Sequence, residues 1–421
     1  MHKMTRSPLF LMALTIFIDF AGFGIILPLL PFWAQRFGAG PVGVGLVLTI
    51  YALAQFLFTP ALGTLSDRYG RRPIILAALL IEALSLALSA LSGSLLILLM
   101  ARFIGGLGAS NIGSAQAVVA DVTPAEGRAR GMGLIGAAIG LGFVVGPALG
   151  GVLAPLGTAV PFWAAMLVAL ANALLVLRFL PETRWIGTTR APVSPAAHGT
   201  GVILAGWRQV LRHPVVARLV AVNFLFTGAF TAMETVFVLF TQHTFGWTAM
   251  QNGYIFTYIG VLIVLMQGGL VGQLARRWSE RRLLLAGLGV LATGLAFIPW
   301  SAHLPQLLIA LGIVSIGDGA VTPMVSALLS FASPPEARGE TLGLSQAVAA
   351  LARVIGPLAA GSAFVVGGPG APFLAGSAFV LLAALIALPA HSSKQKRCLA
   401  HSTPAVQSTS SEKTPAMVRE D

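Results

Sequence analysis

Charged residues are scarce in this chain and make up only 10% of its 421 residues. A soluble globular domain carries about 25% charged residues, so the composition argues against a soluble fold. The alternation of polar and apolar residues that marks a membrane barrel is also absent. Because lipid accepts only backbones that satisfy their own hydrogen bonds, runs of roughly 20 apolar residues predict membrane-spanning helices.

Cysteine is nearly missing as well, since Cys398 is the only one. No disulfide and no cysteine-based metal site can therefore form within one chain. The sequence has no HExxH, no paired Cys/His cluster and no GxxxxGK[ST] phosphate loop. We therefore expect no enzyme activity, no metal, no cofactor and no ATP-driven pump.

Twelve apolar runs fill residues 8 to 389, and the second six partly repeat the first six. We predict an all-α membrane protein with twelve transmembrane helices in two pseudo-symmetric six-helix bundles. The predicted units are an N-terminal bundle (1–181), a cytoplasmic linker (182–214), a C-terminal bundle (215–390) and a disordered tail (391–421). Seven residues recur 210 positions later without a gap: Pro124, Glu126, Arg128, Gly133, Gly146, Pro147 and Gly151. Many transporters build two such repeats around one central path.

Basic residues are unevenly placed between the predicted loops, and the net charge is +12. On one side Arg36 is the only loop Lys or Arg, whereas the other side holds most of the rest. Basic loops stay in the cytoplasm, so we place both termini inside the cell membrane. The basic residues are scattered over short loops without a nucleic-acid-binding module, which argues against a nucleic-acid partner.

Six ionisable residues fall well inside the predicted spans. They are Asp19, Glu82, Arg102, Glu234, Asp318 and Arg353. Each costs about 2.5–3.5 kcal/mol at mid-helix on insertion scales, so such residues usually mark an ion or substrate path. Burial disfavours the charged form of a carboxyl group, which lets it hold a proton near neutral pH. The alternative is that these charges pair only to satisfy one another, and Glu82 and Arg353 fit that alternative most easily.

Two glycine-rich strings stand out. Residues 63–73 read GTLSDRYGRRP, where Gly63, Gly70 and Pro73 predict a tight turn and Asp67 can reach the positive end of a neighbouring helix. The alternative for this loop is an ordinary positive-inside loop. The fifth run has small residues four apart and Pro147, which predict close helix packing and a bend, or tight packing alone.

These strings resemble the major facilitator superfamily, specifically its twelve-helix drug:proton antiporter branch, which includes multidrug and tetracycline exporters. GTLSDRYGRRP resembles the loop 2–3 signature, RFIGGLG from Arg102 resembles the helix-4 motif, and DFAGFGIILPLLP from Asp19 resembles the helix-1 motif. The antiporter motif of helix 5 is matched at Gly142, Gly146, Pro147, Gly150 and Gly151. Pro181-Glu182-Thr183 resembles the usual end of helix 6.

The resemblance implies a central cavity lined by helices 1, 4, 7 and 10, where Asp19, Arg102, Glu234 and Asp318 would handle protons or substrate. It also implies a cytoplasmic gate. The gate residues would be Gly63, Asp67, Arg68, Gly70, Arg71, Arg72, Asp121 and Glu126.

We therefore favour a monomeric, proton-coupled antiporter that exports amphipathic small molecules or drugs, with lipid, protons and cargo as its partners. Uptake or facilitated movement of a sugar or metabolite by the same fold stays as the second hypothesis, and a membrane enzyme or receptor as the third.

Overall fold

The computed structural model describes residues 8–109, 112–123, 128–183, 213–333 and 338–388. Across these ranges the chain forms helices joined by short turns, and no strand occurs in them. The predicted linker lies outside the described residues except at its two ends, and the predicted tail lies wholly outside them. Glu126 of the predicted gate also falls outside.

The helices follow the predicted apolar runs closely. Among the described residues, eight helices precede the linker: α1 (Pro8–Ile26), α2 (Leu30–Gln35), α3 (Pro41–Tyr69), α4 (Arg71–Ala90), α5 (Leu95–Gly108), α6 (Ile112–Val122), α7 (Arg128–Leu153) and α8 (Val160–Phe179). Seven follow it: α9 (Pro214–Phe245), α10 (Ala249–Leu265), α11 (Val271–Arg277), α12 (Glu280–Phe297), α13 (Leu304–Ala332), α14 (Arg338–Gly367) and α15 (Ala371–Ala387). A π-helical stretch, Met266–Leu270, joins α10 to α11.

Ten helical segments of the described chain are long and apolar enough to cross a membrane. Two further apolar helices, Leu95–Gly108 and Ala371–Ala387, are shorter. Three of the predicted runs are interrupted. The first breaks between Ile26 and Leu30, the fourth ends its first helix at Gly108, and the eighth contains the π-helical stretch.

The helices pack in two groups. Within the N-terminal group α1 contacts α7 and α8, and α4 and α3 both contact α5. Within the C-terminal group α9 contacts α14 and α15, and α12 contacts α13. Two extensive contacts, which we call the seams, join the groups: α7 with α10, and α3 with α14.

The two ends of the molecule differ in charge. We call the end that holds the turn between α3 and α4 the basic face, because Arg68, Arg71, Arg72, Arg276, Arg277, Arg281 and Arg282 lie near it. The other end, where Arg36 lies, is the opposite face.

The seams are closed near the opposite face. Thr49 of α3 donates its hydroxyl hydrogen to the Val354 carbonyl of α14 (2.9 Å). A methyl group built on Gly253 of α10 would lie 2.6 Å from the Pro147 carbonyl oxygen of α7. Backbones that approach this closely leave no room for a side chain between the two groups.

Toward the basic face the glycines of the seam helices meet no such close contact. A methyl group built on Gly63, Gly136, Gly268 or Gly343 would meet no described atom within 4 Å, apart from adjacent backbone. By the periodicity of the helix, Gly63, Gly136 and Gly343 continue the contacting faces of α3, α7 and α14, and Gly268 lies in the π-helical stretch after α10. The close seam contacts therefore lie near the opposite face, and the seam glycines nearer the basic face lie beside open space.

Candidate functional site

The N-terminal helices gather four polar side chains at mid-depth. Asp19 comes from α1, Tyr51 from α3, Glu82 from α4 and Arg102 from α5. The Arg102 guanidinium carbon lies 4.1 Å from the centroid of the Tyr51 ring. Arg102 is 2% exposed and Glu82 is 7% exposed, so both side chains are almost completely buried. We call these four residues the N-terminal cluster.

Glycines of the helix-4 motif let α5 pack closely against α3 and α4, and this packing brings the cluster together. A methyl group on Gly106 would collide with the Tyr51 carbonyl oxygen. One on Gly108 would lie 2.8 Å from the Glu82 backbone nitrogen. Ser85 of α4 also donates to the Ala101 carbonyl of α5 (2.7 Å). The small residues that sequence reasoning assigned to the motif therefore act by bringing Arg102 to Tyr51 and Glu82.

The carboxyl groups of Asp19 and Glu82 lie close enough to interact with each other. Two neighbouring carboxyl groups repel one another when both are ionised. The N-terminal cluster therefore holds two adjacent acids and one permanent positive charge. Glu82, which sequence reasoning left nearly even between a structural and a functional role, lies at the centre of this arrangement.

The C-terminal helices gather a second set, the C-terminal cluster. Glu234 of α9 lies within electrostatic range of both Asp318 of α13 and Arg353 of α14. Asp318 is 7% exposed, whereas Glu234 is half-buried and Arg353 is exposed. The four residues predicted to line a cavity thus fall into two pairs, one in each group of helices.

The turn between α3 and α4 is an ionic network at the basic face. Arg71 contacts Asp67 (2.6 Å) and Asp121 (3.1 Å). Arg68 is exposed and lies over the Tyr69 ring (5.4 Å). The contact predicted between the turn and Asp121 is therefore present within the N-terminal group.

One detail of this turn was predicted wrongly. Gly63 is not part of the turn, because α3 continues to Tyr69 and the chain reverses at Gly70 alone, with φ of +109°. The carboxylate at the positive end of α4 is Glu182, which was not predicted, and the reach of Asp67 to the end of another helix stays a prediction. Glu182 accepts from the backbone N–H of Arg71 (2.8 Å) and of Arg72 (3.2 Å), and Arg72 also donates to the Leu177 carbonyl.

The glycines of the helix-5 motif serve two interfaces at once. Methyl groups on Gly142 and Gly146 would lie 2.6 Å from Phe20 Cβ and 2.5 Å from the Ala21 carbonyl oxygen of α1. One on Gly150 would collide with the Ile25 carbonyl oxygen. On the adjoining face a methyl on Gly151 would meet the Met250 carbonyl oxygen of α10 at 3.0 Å. The motif packs α7 tightly, and α7 remains one continuous helix through Pro147.

The repeat extends to the seams. At one seam the Pro147 carbonyl faces Gly253, and at the other the equivalent Pro357 carbonyl faces Gly45 of α3 so closely that a methyl there would collide. The two seams therefore use the same pairing of a proline carbonyl with a glycine.

Sequence reasoning missed Tyr51 and the capping role of Glu182. A tyrosine in an apolar run gives no signal of its own contacts, although its register with Arg102 could have been tested on a helix model. Glu182 lies 111 positions from Arg71 in the chain, so no local pattern joins them. Within the part of the chain that the structure describes, no three His, Cys, Asp or Glu residues group as metal ligands.

Apolar helices that enclose paired ionisable residues are typical of membrane transporters. The family follows from comparison with known proteins. The model of the Major Facilitator Superfamily matches residues 12–304 and 268–410, and the chain belongs to that family.

Relatives cover most of the chain. The class H tetracycline resistance protein of Pasteurella multocida is 30% identical over 361 residues, which are 84% of this chain and 88% of that protein. The class C tetracycline resistance protein of Escherichia coli is 32% identical over 352 residues, 82% of this chain and 86% of that protein. The crystal structure of the human organic anion transporter MFSD10 has a TM-score of 0.69 and 28% identity, and the match covers 91% of this chain and 99% of that one.

The family, the relatives and the ten apolar helices together define a multi-pass membrane transporter of small molecules. It belongs with the drug efflux branch of the superfamily and is not an enzyme.

Proposed function

We propose that this transporter exports amphipathic small molecules or drugs in exchange for protons, by alternating access across the cell membrane. Its twelve spans form two six-helix bundles, 1–181 and 215–390, and the basic face with both termini lies in the cytoplasm. The structure then corresponds to an inward-open state. The positive-inside rule supports this orientation, because the basic face carries most of the described arginines.

The closeness of the Asp19 and Glu82 carboxyl groups beside the buried Arg102 is the observation that carries the proposal. We assign one proton to this pair of acids in the inward-open state, because two adjacent buried carboxyl groups disfavour full ionisation. Protonation neutralises one buried charge and so favours the inward-open state. Cargo that enters from the basic face displaces the proton, and the seams then open at the opposite face.

The C-terminal cluster gives the second half of this switch. Glu234 and Asp318 repel one another when both are ionised, and Arg353 offsets part of that repulsion. An exposed arginine beside a half-buried acid can exchange partners as the helices move. We assign Glu234 and Asp318 to the same proton or substrate path as Asp19 and Arg102.

Aromatic rings beside the N-terminal cluster fit an amphipathic cargo. Phe143 lies 5.4 Å from Phe20 and 6.1 Å from Phe23, and Phe23 lies 5.5 Å from Tyr51, between ring centroids. All four side chains are half-buried. The names of two relatives, both tetracycline resistance proteins, make tetracycline the first compound to test.

The alternative is movement of a metabolite by the same fold. The human relative is described as an organic anion transporter, and Arg353 is exposed at mid-depth where an anion could meet it. Direction of accumulation distinguishes the two functions, because an exporter clears the cytoplasmic side.

Proteoliposomes loaded with a pH-sensitive dye test the proposal. Tetracycline supplied to the basic face should drive proton release from wild-type protein, and Asp19→Asn should abolish it. Ser326→Ala, a change to an exposed hydroxyl that bonds its own helix, is the matched control and should behave as wild type. Undiminished proton release by Asp19→Asn would refute the role of this residue, and uptake toward the basic face would favour the metabolite function.

A further inference from the structure

Arg102 is held by a ring and not by a full set of hydrogen bonds. Its Nε and Nη2 donate to no atom of the described chain, although the side chain is 2% exposed. Buried guanidinium groups normally satisfy their donors, so this geometry calls for another attraction. The face of Tyr51, at 4.1 Å from the guanidinium carbon, supplies it.

We propose, resting on the proton-coupled function above, that Tyr51 is a positioning residue that keeps Arg102 away from full pairing with the Asp19–Glu82 pair. The ring holds the guanidinium group so that Nε and Nη2 make no hydrogen bond while the two acids share their proton. When that proton leaves, the same donors are available to the carboxylates. Tyr51 thereby sets how readily the acids exchange their proton.

The backbone around Tyr51 leaves the ring little freedom. Gly105 and Gly106 press α5 against it, and a methyl on Gly105 would lie 3.4 Å from the ring carbon Cε2. Phe23 of α1 packs beside the ring at 5.5 Å. A fixed ring is what a positioning role requires.

The charged groups near Arg102 are few. Glu82 of α4 acts on it directly, and Asp19 of α1 acts on Glu82 and on Tyr51. The acidic and basic residues of α6, α7 and α8 lie at helix ends, and Arg353 and Glu234 belong to the C-terminal cluster. A change in the pH profile after substitution of Tyr51 therefore reports on this cluster.

The test measures pH dependence of the conformation, which needs no cargo. In a Cys398→Ser background, spin labels at Tyr69→Cys of α3 and Gln273→Cys of α11 report the separation of the two groups at the basic face. Both positions are exposed. We expect a long distance at acid pH and a short one at alkaline pH.

Tyr51→Leu removes the ring face, so the guanidinium turns to the carboxylates and stabilises their ionised form. The midpoint of the distance change should move by about one pH unit to acid, the size expected for loss of a desolvated cation–π contact. Tyr51→Phe keeps the ring face and should move the midpoint much less. Phe58→Leu is the matched control, because Phe58 also joins α3 to α5 through a ring contact, with Phe103 at 6.0 Å, and no guanidinium group of the described residues lies over its ring.

Equal midpoints for Tyr51→Leu and Phe58→Leu would overturn the inference, as would a full shift by Tyr51→Phe. If Tyr51→Leu does not fold, phenylalanines of increasing fluorination at position 51 replace it. The midpoint should then fall stepwise with fluorination, and the absence of a trend would overturn the inference.

A double-mutant cycle between Tyr51→Leu and Arg102→Met, followed by thermal unfolding, separates this inference from the proposed function. Non-additive changes support the contact between the two side chains, and additive changes contradict it. If the label distance in wild type does not change with pH but the cycle is non-additive, proton coupling is refuted. Tyr51 would then serve only to hold Arg102 in place.

Discussion

Gly146→Ala should weaken the packing of α7 on α1. The added methyl group would lie 2.5 Å from the Ala21 carbonyl oxygen and 2.7 Å from Gly24 Cα. Ordinary contact begins at 3.4 Å, so the two backbones must separate by roughly 0.9 Å. Overpacking of a close interface costs about 1–3 kcal/mol. We expect a loss of that size in the free energy of unfolding, measured in mixed detergent micelles.

Gly136→Ala is the matched control on the same helix. A methyl group there would meet no described atom within 4 Å beyond the adjacent backbone, and alanine is the better helix former by about 1 kcal/mol. The control should therefore unfold at the same denaturant concentration as wild type or a higher one. If Gly146→Ala were as stable as Gly136→Ala, the close packing assigned to the helix-5 motif would be wrong.

Three further changes probe the seam and the turn. Thr49→Val removes the hydrogen bond to Val354 and should favour opening at the opposite face by about 1 kcal/mol, seen as a shorter distance between the labels at 69 and 273. Thr257→Val, four residues after Gly253 as Thr49 is four residues after Gly45, removes a hydroxyl that bonds Gly253 of its own helix and should leave that distance unchanged; equal effects would contradict the assignment. Glu182→Gln removes the charge at the positive end of α4 and should lower the unfolding free energy by about 0.3–1 kcal/mol. Gly70→Ala should lower the unfolding free energy more, by about 1–3 kcal/mol, because the φ of Gly70 is +109° and the methyl group would lie 2.5 Å from the Glu182 carboxylate. A larger loss for Glu182→Gln than for Gly70→Ala in thermal unfolding would contradict this account of the turn.

Hydropathy predicted most of the helical segments because spanning a bilayer needs length and apolar side chains, and both are local properties of the chain. The interruption after Ile26 and the π-helical stretch at Met266–Leu270 were not predicted. Both depend on how neighbouring helices pack, and the hydropathy of a single segment carries no information about that packing. The twelve-span count stays a prediction, since α5 and α15 are short.

The residues of the candidate site were selected from the sequence, but their grouping in space was not predicted. Rarity of charge in lipid was enough to select Asp19, Arg102, Glu234 and Asp318 from the sequence. Their division into two clusters, and the place of Glu82 beside Asp19, depend on helix rotation and on the approach that Gly106 and its neighbours permit. Composition alone did not single out Tyr51, because an aromatic residue packs equally well against lipid and against an arginine.

The most direct test of the central claim is the distance between spin labels at positions 69 and 273 as a function of pH, with and without the acid pair. The account predicts that wild type changes from a long to a short distance as pH rises, and that Asp19→Asn combined with Glu82→Gln keeps the long distance at every pH. A distance in the double variant that still shortens with pH as in wild type would show that the shared proton of Asp19 and Glu82 does not control which face is open.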